Sequence, residues 1–330
     1  MSIFIEPDFT SSYEAYPLVL VDVGASGGLK RNWMEASRHL RLIGFDADER
    51  APDGGETHQG RWQVLLRVGL YKEKGSLTLY QTRKQRNSSI LRPNPALVSR
   101  FALPERFDIV ETKTIHVDTL DNQLREHGMS DVDFIKVDTQ GSELFILQGG
   151  AEVLRSTVFG VEVEVEFAEL YEAQPLFADV DLFLRPFGFQ LFDLKPTYWK
   201  RAAGHRWGKR KGQLICGDAL YLKDPSSLRA NIEGMTDEPR GAKVLKALSI
   251  CFLYGYFDFA LEIFQQEGQV FDEQQARAIL GKIESSRPLS SRTPMFRGRQ
   301  RLANLLSKLW EIVEPTYEYG ITGHRHLGNL

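Results

Sequence analysis

A chain of 330 residues with 42% hydrophobic content can bury a sizeable core, and its length suggests about two domains. The net charge of −3 argues against a general nucleic-acid binder, while leaving room for a local basic patch. The two cysteines, Cys216 and Cys251, have no metal-ligand spacing, which argues against a disulfide framework or a zinc site, and no metal-ligating residue is assigned. Met1 to Tyr16 is acidic and polar with scattered aromatics, and is expected to form an arm packed over a sheet. It lacks the basic-then-apolar pattern of a secretory signal, so a soluble, cytoplasmic protein is expected.

Leu18 to Val23 is a short apolar, β-branched run, long enough for a buried strand and too short for a buried helix. It leads into Gly24, Gly27 and Gly28, after which Leu29, Trp33, Ala36 and Leu40 follow at helical spacing. A strand, a glycine-rich turn and a helix form the first unit of a doubly wound α/β domain. The dinucleotide fingerprint is absent, and Lys30 is followed by Arg31 rather than by a Walker hydroxyl. What remains is an acid at the strand end, Asp22, with Gly24, Ser26 and Gly28 in alternation. This resembles the first motif of class I S-adenosylmethionine-dependent methyltransferases, with Ser26 in place of the usual middle glycine. The resemblance implies that Asp22, Gly24, Ala25, Ser26 and Gly28 hold the cofactor; the competing reading is a merely structural turn.

Leu40 to Phe45 reads as the second strand and ends in Asp46-Ala47-Asp48. An acid roughly 20 residues beyond the glycine turn is where such folds bind a ribose diol. Asp46, with Ala47 beside it, is therefore the candidate and Asp48 the reserve, against the alternative of a solvated turn acid. Trp62 to Leu70 and Ser76 to Tyr80 alternate like paired strands around a polar turn at Lys72 to Gly75. The irregular stretch Gln81 to Arg106 carries Asn87-Ser88-Ser89 and three prolines, and a loop of that length is usually functional or disordered. Thr112 to Val117 returns as a strand, and Asp118 is a candidate N-cap for a helix closed at Gly128.

Asp131 to Gly150 is the most informative passage. Phe134 to Val137 reads as a strand with Asp138 at its carboxyl end. Gly141 permits a sharp entry into a helix with Leu144, Leu147 and Leu154 inward and Glu143 in its first turn, where the helix dipole favours a carboxylate. Ligands of open parallel sheets bind outside the carboxyl ends of the strands, so Asp138 is expected to face the same crevice as the glycine turn.

Asp133, Lys136, Asp138, Gly141 and Glu143 fill an Asp-x-x-Lys-x-Asp-x-x-Gly-x-Glu element similar to the signature of the FkbM family of methyltransferases. Asn87-Ser88-Ser89, Thr119-Leu120-Asp121 and Val161 to Phe167 with Leu170-Tyr171 support it, as do Gln174 to Phe177 and Gly188-Phe189. The resemblance runs from about Leu18 to Asp224. It implies S-adenosylmethionine as cofactor, with Gly141 and Glu143 joining the cofactor residues and Ser88 and Ser89 on the acceptor side.

Val158 to Phe167 alternates valine with Glu162, Glu164 and Glu166. Glutamates on one strand face need water, a partner or a chemical role. Glu164 is within range of the crevice, and Glu166 suits an exposed strand end. Gln174 to Pro186 reads as a helix, and Phe187 to Leu194 with Leu214 to Leu222 as the closing antiparallel hairpin. Between them Lys195 to Lys211 holds seven basic residues and no acid. Lys209 and Arg210 there are candidate phosphate contacts, against the bland alternative of a solvated hairpin tip.

From Pro225 the chain turns helical: two patterns over Arg240 to Glu267 broken near Gly255, then Phe271 to Ile283 and Arg299 to Ile312. The longest apolar stretch, Ala247 to Phe264, contains Gly255, Asp258 and Glu262 and is a poor membrane span.

The expected architecture is a class I methyltransferase (Rossmann-like) doubly wound sheet over 1–224 with an antiparallel last strand, followed by a small helical domain over 225–330. The expected reaction is S-adenosylmethionine-dependent O-methylation of a sugar or other small polyhydroxy acceptor, including phosphate-bearing ones. Asp138 is the candidate base and Glu164 the next. N-methylation, or a cofactor-binding scaffold without turnover, are the alternatives.

Overall fold

The computed structural model describes residues 3–25, 29–50, 62–129, 131–204, 206–207, 211–287, 296–313, 321–323 and 327. After a 3-10 turn at Ile3–Ile5, helix α1 (Pro7–Ala15) leads into strand β1 (Leu18–Val23), and β2 (Leu40–Phe45) and β3 (Trp62–Leu66) follow. Next come β4 (Gly69–Leu70), β5 (Gly75–Thr82), α2 (Pro95–Val98), β6 (Ile109–Asp118), α3 (Leu120–Glu126) and β7 (Phe134–Val137). Helices α4 (Glu143–Gly149) and α5 (Ala151–Ser156) precede β8 (Gly160–Glu166), α6 (Phe177–Leu184), β9 (Phe189–Trp199) and β10 (Gln213–Lys223). The chain continues through α7 (Pro225–Ile232), α8 (Asp237–Leu253), α9 (Phe257–Glu267), α10 (Glu273–Ser285), α11 (Arg299–Val313) and β11 (Ile321–Gly323).

The main sheet runs β11-β9-β10-β8-β7-β1-β2-β3. Neighbours from β8 to β3 are parallel, and β10 is antiparallel to both β8 and β9. This is the expected doubly wound sheet with an inserted antiparallel last strand. Connections from β1 go to both sides, making a switch point at the carboxyl ends of β1, β2 and β7. A smaller sheet, β4-β6-β5, stands beside it. Among the described residues no helix is long and apolar enough to cross a membrane.

Side-chain alternation assigns the two faces. Val19, Val21 and Val23, with Ile135, Val137 and the valines of β8, pack with α3 to α6. Leu18, Leu20 and Phe134 pack on the other side with α1, Trp33, α8 and α9. The expected helix after the glycine turn is only a 3-10 segment, Arg31–Ala36, and Leu40 belongs to β2. Two turns of 3-10 helix cannot cover a sheet face, and the C-terminal helices supply the missing layer.

That layer is also pinned by charge. Asp133 accepts from Lys243 at 2.7 Å, Lys246 at 3.0 Å and the backbone N–H of Val19 at 2.8 Å. Asp131 pairs with the same two lysines.

Other expectations need correction. Trp62 to Leu70 does not pair with Ser76 to Tyr80: β3 adds to β2 in the main sheet, while β4 joins β6 in the small one. The change of sheet falls at Arg67-Val68, between the two strands. The cap of α3 is Thr119, whose hydroxyl accepts from Asn122 N–H, while Asp118 ends the strand and accepts from Thr119 N–H. Glu166 is 2% exposed rather than at an open strand end, because α6 and the β9–β10 hairpin close over that end of β8.

Asp133→Ala would leave the buried Val19 N–H without its acceptor and Lys243 and Lys246 with only the more exposed Asp131. It is expected to destabilise the fold by about 3–5 kcal/mol in denaturant unfolding; a loss below about 1 kcal/mol would contradict this view of α8.

Candidate active site

A cleft opens at the switch point and gathers Gly24, Asp46, Ala47, Ser88, Ser89 and Asp138 from segments far apart in sequence. Its walls are completed by Leu79, Ile115 and Ile146, with Gln85, Arg86 and Gln140 at the polar side. Gly24 has φ +80°, and a Cβ there would meet the Asp138 carbonyl oxygen at 2.0 Å. Only glycine lets the turn after β1 pass this close to the end of β7. The contact is held by Asp138 N–H on Val23 O at 3.0 Å and Gly24 N–H on Phe45 O at 2.9 Å.

The two acids after β2 have separate roles. Asp48 is tied to Arg50, with Nη2 at 2.6 Å, and to Gln81 Nε2 at 3.1 Å. Burial opposes ionisation of Asp48, but these bonds prevail and hold it below the usual carboxylate range. Asp46 lines the cleft and uses one oxygen to accept the Asp48 N–H at 2.9 Å; burial pushes its pKa up. Asp46 is therefore the carboxylate with capacity for a ligand.

Asp22 is 2% exposed and lies beneath the cleft. It is the register partner of Lys136 in β7, which in turn opposes Glu162 in β8. Lys136 Nζ reaches Asp22 at 2.8 Å, and the Asp22, Glu162 and Asp138 carboxylates outweigh burial to hold the lysine charged. Glu162 closes the row by bonding Lys30 and the Tyr254 hydroxyl, the latter at 2.7 Å. Tyr254, at the end of α8, also accepts from Trp33 Nε1 at 3.1 Å. The valine–glutamate alternation of β8 thus has its explanation: the valines face α3 to α6, and Glu162 anchors the opposite layer.

The loop after β7 is wound tightly. Gln140 has φ +62° and Gly141 φ +103°. Glu143, buried at the start of α4, turns back to accept the N–H groups of Thr139 at 2.7 Å and Gly141 at 2.9 Å. It shapes the loop rather than bordering the cleft. Gln140 Nε2 donates to Glu164 at 2.6 Å and to Asp138 at 3.2 Å, so one amide joins both candidate bases. The Gln140 backbone carbonyl accepts from the Ser89 hydroxyl at 2.8 Å. Sequence reasoning passed over Gln140, since it fills a variable position of the motif.

The acids of this end of the sheet crowd together. Ligand oxygens of Glu143, Glu164 and Glu166 lie within 4.8 Å of one another. Burial first, then neighbouring carboxylates, pushes Glu164 and Glu166 well above the usual carboxylate range, and burial raises Glu143 to about 7.

Ser26, Gly28, Lys209 and Arg210 lie outside the described residues. Ala25 follows Gly24 in the turn. Lys195 is no part of a free basic tip: it sits in β9 and pairs with Asp218 at 3.0 Å.

Residues 28–191 match the methyltransferase FkbM domain, over the span that supplies most of this cleft. The chain belongs to the FkbM methyltransferase family. This FkbM chain is 28% identical over 195 residues to the 2-O-methyltransferase NoeI of Sinorhizobium fredii, covering 55% of the chain and 77% of NoeI. Among solved structures, methyltransferase FkbM from Methylobacillus flagellatus has 14% identity and a TM-score of 0.35, covering 62% of this chain. The match takes in 43% of that protein, so this chain spans less than half of its length. A 16S rRNA (adenine(1408)-N(1))-methyltransferase mutant from Catenulisporales acidiphilia has 11% identity and a TM-score of 0.27, over 66% of this chain and 91% of its own.

The raised carboxylates make stability depend on pH. An acid whose folded pKa lies above its unfolded value of about 4.3 stabilises fully below that value and less as pH rises through the folded one. Glu166→Gln cannot ionise, so its thermal midpoint relative to wild type is expected to rise between pH 5 and pH 8. A difference that stays constant across that range would contradict the crowding.

Proposed function

We propose that this chain is an S-adenosylmethionine-dependent O-methyltransferase acting on a hydroxyl of a sugar or other small polyhydroxy acceptor. One observation carries the reading: Gly24, Asp46 and Asp138 converge on one cleft at the switch point of the sheet. The name of the relative NoeI, a 2-O-methyltransferase, supports oxygen as the acceptor atom. The chemistry would reside in 1–224, with 225–330 as a helical unit packed against it.

The residues present fit such a donor. Close passage of the turn at Gly24 leaves backbone rather than side chain toward the ligand, Asp46 has an oxygen free for a ribose diol, and Leu79, Ile115 and Ile146 offer an apolar wall to a base. The sulfonium supplies an activated methyl group and departs as a neutral thioether. The protein must therefore align an acceptor oxygen and remove its proton.

Asp138 is the proposed base. It borders the cleft, and the Gln140 amide orients its carboxylate. Glu164 accepts from the same amide, and burial, then the neighbouring carboxylates, raises its pKa well above the usual carboxylate range. It is the next candidate for the base.

Two variants separate binding from proton transfer. Asp46→Ala is expected to weaken S-adenosylmethionine by about 1.5–3 kcal/mol in calorimetric titration, the loss of a charge-assisted bond. Asp138→Asn should bind the cofactor within a few-fold of wild type, yet lower kcat about 10²-fold or more in a methyl-transfer assay over a sugar panel. Near-normal turnover by Asp138→Asn would move the base to another group.

A further inference from the structure

The acceptor side of the cleft carries uncompensated donors. Beyond β5 the chain makes a short 3-10 turn, Gln85–Asn87, at the cleft rim. Lys84 N–H bonds the Arg106 carbonyl at 3.1 Å, which brings the turn against the segment before β6. Three cations, Lys84, Arg86 and Arg106, are therefore neighbours, with Arg86 lining the cleft, and among the described residues none of them forms an ion pair. Burial, and then the charges of Arg106 and Arg86, lower the pKa of Lys84. The Arg106 guanidinium carbon lies 4.3 Å from the Trp199 ring centre and 5.2 Å from that of Phe107.

The amides of this wall repeat the signal. Gln85 Nε2, Asn87 Nδ2 and Arg106 Nε are buried N–H donors with no acceptor. Asn87 is 8% exposed, so its free amide is unusual. Buried donors are nearly always paired, and an unpaired set clustered with like charges is what a bound multi-oxygen anion would resolve. Gln85 and Arg86 border the same cleft as Asp138, so such an anion would lie on the acceptor.

We propose that Lys84, Arg86 and Arg106, with the amides of Gln85 and Asn87, form a phosphoryl subsite, and that the acceptor bears a phosphate next to the hydroxyl that is methylated. The inference rests on the methyltransferase reading for the word acceptor, while the anion site stands on its own geometry. It adds a candidate phosphate contact at the cleft to the hairpin residues Lys209 and Arg210, which lie outside the described residues.

Inorganic phosphate and glucose 1-phosphate are the probes, with glucose and sodium chloride at matched ionic strength as controls, read by thermal shift and calorimetry on the full chain. Wild type should be stabilised by both phosphates and by neither control. The double variant Lys84→Gln with Arg86→Gln, whose side chains are exposed and whose fold circular dichroism verifies, should weaken phosphate binding at least about tenfold. Equal phosphate affinity in wild type and variant, or no phosphate-specific stabilisation of wild type, would overturn the subsite. S-adenosylmethionine titration of wild type tests the methyltransferase reading separately, so the two failures are distinguishable. A gain with inorganic phosphate but none with the sugar phosphate would overturn the acceptor assignment.

Discussion

The close passage of Gly24 under the Asp138 carbonyl is the constraint on which the site depends. A Cβ at position 24 would lie 2.0 Å from that oxygen, so any other residue forces β1 and β7 apart at their carboxyl ends. With glycine there, Val23 O takes the Asp138 N–H and Phe45 O takes the Gly24 N–H. Three strands are thereby locked edge to edge just where their side chains leave the sheet. Asp46 and Asp138 come to one cleft by that lock, and neither needs a dedicated loop to hold it.

Beneath the lock, charge is used where apolar packing ends. Asp22, Lys136 and Glu162 alternate in sign across three adjacent strands, and Lys30 and Tyr254 complete the row from outside the sheet. A buried ion of this kind costs several kcal/mol of desolvation unless its lone pairs and protons are met. Here each has a partner, and one partner arrives from α8. The C-terminal helices are in this sense part of the floor of the site: they replace the helix that the short Arg31–Ala36 turn does not provide, and they fix the far end of the charge row.

Much of this was legible in the sequence. The bounds of β1, β2 and β7 follow from apolar runs ended by glycine or aspartate, and the break near Gly255 follows from a residue free to take φ +76°. The candidates Gly24, Asp46, Ala47, Ser88, Ser89 and Asp138 do share a cleft. What was not legible depends on tertiary partners. Helical spacing over Leu29 to Ala36 could not reveal that the segment would shrink to the short 3-10 stretch Arg31–Ala36. The burial of Glu166 depends on α6 and on a hairpin distant in sequence. Gln140 is chemically neutral in a motif of charges, and its role exists only because φ +62° turns its amide toward two carboxylates. The unpaired donors of Gln85, Asn87 and Arg106 are invisible until one asks what each buried N–H touches.

The most direct test of the central claim is a crystal structure of the full chain with S-adenosylhomocysteine. The account predicts the nucleoside in the cleft between Gly24 and Ile146, its ribose hydroxyls within hydrogen-bond distance of Asp46, and its sulfur on the side of Asp138. A nucleoside bound elsewhere, or a ribose held away from Asp46 with Asp138 remote from the sulfur, would contradict it.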